Sequence, residues 1–249
     1  MNEMSFPLLL AVGATFFIAG IVKGVTGMGL PTVAMAVLGA LISPLVAASL
    51  LIVPSFVTNI WQFMAGPASG PIVRRLWPMM LAIFAGTILS AGLLVTGDTG
   101  ATTVALGMAL IVYAGYTLFA RQLQVPARTE RWLGPVTGGV TGLVAGGTGI
   151  LVIPAVPYLQ ALGLPRDHLI QALGLSFTVS TVALAAGLGA HGAFTVQGIS
   201  LSALAVGPAL AGMWAGQRLR ARINPSVFRR LFLISLLLLG VEMVLRSFR

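Results

Sequence analysis

The sequence predicts an all-α polytopic membrane protein. It reads as two inverted-topology repeats of about five hydrophobic segments each, residues 1–122 and 123–249, with broken or short helices at the first pair of each repeat. Three observations predict this. First, 57% of the 249 residues are apolar and only 8% are charged, whereas soluble domains carry about a quarter charged residues. Second, apolar runs near 44–65, 72–96, 99–120, 166–189, 197–219 and 225–247 reach the roughly 20 residues that cross a hydrocarbon core. Third, a glycine-rich break occurs twice at matching positions.

Taken in order, the first pair of segments is short, near 6–22 and 31–43, and the pair opening the second half lies near 132–146 and 150–162. Between the members stand Lys23-Gly24-Val25-Thr26-Gly27-Met28-Gly29-Leu30-Pro31 and Ala145-Gly146-Gly147-Thr148-Gly149-Ile150-Leu151-Val152-Ile153-Pro154. The offset from Thr26 to Thr148 is 148 − 26 = 122, and Gly66–Gly192, Gly86–Gly212 and Asp98–Asn224 each differ by 126. About four extra residues around Pro165–His168 account for the change. Asp98 and Asn224-Pro225 read as helix N-caps, the second with proline at the first helical position. Met1–Pro7 carries Glu3 and no Lys or Arg, so no cleavable signal peptide is expected.

Charge placement supplies orientation. Arg74 and Arg75; Arg121, Arg128 and Arg131; Arg166; and Arg218, Arg220 and Arg222 fall in four separate connections. Basic connections face the cytoplasm, which places both termini outside. An odd number of segments per repeat then inverts the second repeat. Arg246 and Arg249 run against this rule. The net charge of +9 therefore reads as topology, and nucleic acid is not an expected partner. Trp61, Trp77, Trp132 and Trp214 near segment ends read as an interfacial belt.

Several functions are excluded on composition. No cysteine is present, so disulfide scaffolds and thiolate chemistry are ruled out. Five acidic residues and two histidines leave little for a metal centre, and no cofactor is expected. Gly27-Met28-Gly29 lacks the third glycine of a dinucleotide fingerprint. Gly66-Pro67-Ala68-Ser69-Gly70 misses the spacing of a nucleophile elbow. An intramembrane enzyme would have only Ser69 and His191, in connections on opposite faces. Glu242 reads as a structural partner of Arg246 at i+4.

The two breaks carry the functional expectation. A helix interrupted in a membrane survives only when buried in protein or lining a wet cavity, and helix ends there present unpaired donors to an anion. Gly24, Gly27, Gly29, Gly146, Gly147 and Gly149 would let the backbone turn and approach a ligand. Thr26 and Thr148 would add hydroxyl donors, while Pro31 and Pro154 keep the breaks open. Lys23 stands where the second half has Ala145, and an ionisable group inside a membrane suggests function. In the third segments Ser49, Ser55, Thr58, Asn59 and Gln62, and Gln171, Ser176, Thr178, Ser180 and Thr181, add neutral polar groups. Asn59 and Thr181 are expected beside the site.

On these residues the chain resembles the sulfite exporter TauE/SafE family, also called sulfonate uptake permeases. The resemblance rests on the breaks at 24–31 and 146–154, the paired segments after them and the basic connection before 225. It implies a multi-pass inner-membrane carrier of small sulfur-containing anions such as sulfite, sulfonates or sulfoacetate. Family members often carry Gly-x-Gly-Gly at the motif. Here Gly27-Met28-Gly29-Leu30 and Gly149-Ile150-Leu151 depart from it. The expectation is a proton-coupled secondary transporter working by alternating access, with a small anionic substrate and membrane lipid as partners and a homodimer as a candidate assembly. An anion channel, or a carrier of another small organic anion, is the alternative.

Overall fold

The computed structural model describes residues 6–119 and 124–246. Glu3, Arg121, Arg249 and the 122/123 repeat boundary lie outside the described residues. Within them the chain is helical, with eleven helices and no strand. In order these are α1 Phe6–Thr26, α2 Leu30–Leu41, α3 Pro44–Met64, α4 Ser69–Thr96, α5 Thr99–Phe119, α6 Ala127–Thr148, α7 Ala155–Ala161, α8 Arg166–Ala190, α9 Val196–Leu204, α10 Val206–Leu219 and α11 Pro225–Arg246. Six stretches are long and apolar enough to cross a membrane: α1, α3, α4, α5, α8 and Gly198–Leu219 through α9 and α10.

The helix ends follow from local chemistry. Asp98 Oδ2 accepts from the Ala101 amide at 3.0 Å and Asn224 Oδ1 from the Ser226 amide at 3.0 Å, as the cap readings expected. The first segment of each pair is longer than the apolar pattern predicts. α1 and α6 have 21 and 22 residues and end at Thr26 and Thr148. Gly24, Gly146 and Gly147 therefore lie inside helices, and the breaks are confined to 27–29 and 149–154. The second members are short, with 12 residues in α2 and seven in α7. The 197–219 segment divides at Ala205, where Pro208 has no N–H to give the Leu204 carbonyl four residues earlier.

Glycine sets how closely helices approach. α1 runs along α10 and α6 along α4. A β-carbon at Gly24 would lie 2.3 Å from the Met213 carbonyl oxygen, and one at Gly212 would lie 2.0 Å from that of Phe17. In the other pair, a β-carbon at Gly142 or Gly146 would come 2.3 Å from the carbonyl oxygens of Ile83 or Thr87. These are backbone-to-backbone seams of the small-residue kind. α5 crosses α11 where Gly107 and Gly240 face each other's carbonyls, and α3 and α8 meet at the centre.

Apolar side chains cover the outside. Leu89, Leu93, Leu231 and Leu238 are all more than 60% exposed, which suits lipid contact rather than water. Trp61, Trp77, Trp132 and Trp214 are likewise exposed, and the Arg218 guanidinium lies 3.9 Å from the Trp214 ring centre. Arg75 makes a two-point pair with Glu130, at 2.6 and 2.7 Å, linking the starts of α4 and α6. Among the described residues this is the one ion pair. The Glu242–Arg246 pairing expected at i+4 is not formed; both residues are exposed, where an ion pair contributes little.

A proline deep in α3 shows how the bundle repairs a broken ladder. Pro54 cannot donate to the Leu50 carbonyl, and lipid cannot substitute. Ser202 of α9 donates to that carbonyl at 2.7 Å, and its hydroxyl oxygen accepts from the Val53 amide at 3.2 Å.

Candidate functional site

A cavity of about 330 Å³ opens where the ends of α1, α3 and α10 meet the start of α8. Its wall includes Lys23 and Gly24 from the end of α1, Gly27 from the first break, Trp61 and Gln62 from α3, Asp167 and Gln171 from α8, and Met213, Gln217 and Arg220 near the end of α10. The volume suits a small ligand. The charged lining is two cations, Lys23 and Arg220, against one carboxylate, Asp167.

Lys23 is only 3% exposed. Its ammonium donates to Asn59 Oδ1 and, at 3.2 Å, to Thr58 Oγ1. No acidic side chain pairs with it among the described residues. An ammonium has three donors, so one proton remains after these two neutral acceptors. The contacts fall five to six residues before α3 ends at Met64, about 8 Å inside that end at 1.5 Å per residue. Asn59 Nδ2 in turn donates to Ser55 Oγ at 3.1 Å, and Ser55 Oγ lies 3.4 Å from Thr181 Oγ1. Lys23, Asn59 and Thr181, expected together from the sequence, therefore join one polar chain through α1, α3 and α8.

Two glutamines hold the cavity's shape. Gln62 donates to the carbonyls of Gly27 at 3.0 Å and Ile170 at 2.9 Å, tying the break to α8. Gln171 donates to the Phe63 carbonyl at 2.8 Å and to Ser69 Oγ at 3.1 Å, and accepts from the Ala68 amide at 2.8 Å. Replacing Gln171 with leucine should destabilise the protein by about 2–3 kcal/mol, since buried backbone groups lose their partners. Thermal unfolding in detergent checks this, and an unchanged Tm would show that the turn holds itself.

The breaks themselves divide into two kinds of residue. Gly27, Gly29 and Gly149 have φ of 81°, 102° and 74°, the left-handed region where glycine is the default. Gly24 and Gly146 instead make helix contacts, and Gly147 meets only a leucine methyl at 3.9 Å. Both threonine hydroxyls serve the backbone. Thr26 donates to the Val22 or the Met28 carbonyl and accepts from the Met28 amide. Thr148 donates to the Val144 carbonyl and accepts from the Ile150 amide. They close their own helix ends.

The two motifs are not gathered in one cavity. Thr26 and Gly27 are half-buried at open spaces, whereas Ala145, Ile150, Leu151 and Val152 are fully buried. Gly149 packs on Met35 of α2. Asp167, Met213, Gln217 and Arg220 were not expected at the site, for nothing local marks them. The Met213–Gln217 spacing of one helical turn is the faint signal. Ser69 touches Gln171, and His191 lies 20 residues further along α8, about 30 Å away at helical rise. They form no catalytic pair.

No curated protein and no solved structure matches the chain. The sequence pattern described as "Sulfite exporter TauE/SafE" matches residues 12–243, nearly the whole length. Taken with six membrane-crossing stretches and a polar cavity reaching a buried lysine, that match establishes that the chain belongs to the sulfite exporter TauE/SafE family of multi-pass membrane transporters.

Proposed function

We propose that this protein is a secondary transporter of small sulfur-containing oxyanions, of the sulfite, sulfonate or sulfoacetate class, in a cell inner membrane. The observation that carries the reading is the Lys23 ammonium, buried in the cavity wall with neutral acceptors and in no ion pair among the described residues. A buried charge without a counter-ion is costly, and an anion in the cavity supplies one. Gln217 on the same wall offers a neutral group that orients an oxyanion without holding it too tightly, while Asn59 positions the Lys23 ammonium from behind and Gln62 fixes the break.

Alternating access of two inverted repeats, 1–122 and 123–249, fits the packing. The α1–α10 and α4–α6 seams exchange the same pair of segments between halves. Gly24 and Gly146, 122 residues apart, occupy like places in the two seams. In this reading the first break faces the arginine-rich, cytoplasmic side and is open, while the second is sealed. Proton coupling suits the load: an anion moved with one proton for each of its charges crosses as a neutral set, avoiding about 2.3 kcal/mol per charge per 100 mV.

Proteoliposomes loaded with a pH gradient test the proposal. Sulfite, sulfoacetate and taurine are compared with carboxylate controls. Saturable uptake of a sulfur oxyanion that collapses with the gradient is expected. Unsaturable current would make it a channel, and preferential carboxylate uptake would replace the substrate class.

A further inference from the structure

A second cavity, of about 250 Å³, lies on the other side of the first break. Its lining includes Thr26 and Met28 from the end of α1 and its break, Arg166 from α8, Arg220 just beyond α10, and Ser226 and Arg229 from α11. No acidic residue lines it. Among the described residues none of the three arginines is in an ion pair. Arg220 and Arg229 are half-buried. Arg220 and Ile170 line both cavities, so the two share a wall. α8 begins at Arg166 and α11 at Pro225, which brings two positive helix ends to the same space.

We infer that this arginine cavity is a second oxyanion site, distinct from the one at Lys23, and that it binds a sulfate- or phosphate-like group. Three arginines, at the start of α8, just past α10 and in the second turn of α11, line one concave space, and planar forks of this kind match tetrahedral oxyanions two contacts at a time. If they were merely solvated topology charges, like Arg128 and Arg131, mutual repulsion would favour their pointing apart into water. The chemistry is the same whether the group arrives as a free solute or as the phosphate of an anionic lipid. The site goes beyond the transport reading and stands independently of it.

The test uses the full chain in neutral detergent and in nanodiscs, with Arg166→Gln/Arg229→Gln as the variant, because these two arginines do not line the Lys23 cavity. Sodium sulfate is titrated against sodium chloride at equal ionic strength while Tm is read. A sulfate-specific rise is expected, with the apparent Kd weakened about tenfold or more in the variant, as loss of charge-assisted contacts requires. The rise should persist in Lys23→Gln. If that variant does not fold, the Arg166→Gln/Arg229→Gln comparison in the otherwise native chain gives the same reading. A free-solute site responds to sulfate in zwitterionic nanodiscs. A lipid site responds instead when phosphatidylglycerol is included, again only with the arginines intact. Equal shifts in wild type and variant, or no shift with either anion source, overturn the inference. Absence of sulfur-oxyanion transport by the wild type would sink the proposed function and leave this result standing.

Discussion

Lys23→Gln should abolish concentrative uptake while leaving a protein that is as stable as the parent or more so. Removing a charge-assisted contact costs about 1.5–3 kcal/mol, a loss of about 10- to 150-fold in apparent affinity. Folding moves the other way. The wild-type ammonium is desolvated against neutral partners only, and a neutral amide one bond shorter carries no such charge to bury. Lys23→Arg keeps the charge but presents a broad fork in place of a compact ammonium, so it should transport poorly as well. Uptake kinetics and Tm are measured together. A Lys23→Gln chain with native KM would remove Lys23 from the site, and one that unfolds would make it a structural residue.

The second large effect is mechanical. Gly142→Val places a branched side chain where a β-carbon alone would be 2.3 Å from the Ile83 carbonyl oxygen. Backbone cannot yield as a flexible side chain does, so the α4–α6 seam must part. The cost should reach or exceed the 1–3 kcal/mol typical of overpacking, about 6–12 °C in Tm at the upper end for a chain of this size. Gly138→Ala should also be destabilising, with its added carbon 2.4 Å from the Met79 carbonyl oxygen. Its neighbour provides the contrast. At Gly139 nothing lies within 4 Å, so Gly139→Ala should stabilise α6 by about 0.5–1 kcal/mol. Equal behaviour of the two alanine variants would mean that the seam is looser than its geometry.

Much of this architecture is legible in the sequence because lipid imposes long apolar runs and breaks them only where the protein can compensate. The caps at Asp98 and Asn224, the left-handed turns at Gly27 and Gly149, and the grouping of Lys23 with Asn59 all follow from local rules. What was hidden depends on partners more than 50 residues away. Gly24 and Gly146 look like parts of the break until α10 and α4 are set against them, and then they are contacts inside continuous helices. Gln171 is one more polar residue in a span until the Phe63 carbonyl and the Ala68 amide appear beside it. Met213, Gln217 and Arg220 acquire meaning only when α10 lies along α1. Thr26 and Thr148 mislead for a different reason: a hydroxyl near a glycine turn suits a ligand and a helix end equally well, and sequence alone does not show where its proton goes.

The repaired ladder at Pro54 bears on how such a protein can move. α3 carries the Thr58 and Asn59 side chains that touch Lys23, yet the Leu50 carbonyl above them, which Pro54 cannot serve, is held by Ser202 of α9. The lower part of α3 can therefore pivot at Pro54 with few of its own bonds to break, but not without consequence for its neighbour. Either α9 swings with it, or the Leu50 carbonyl loses the Ser202 hydroxyl in a medium that offers no replacement. The joint is thus geared: flexion of α3 and displacement of α9 are coupled through one hydroxyl, and a Ser202→Ala chain would have the hinge without the gear.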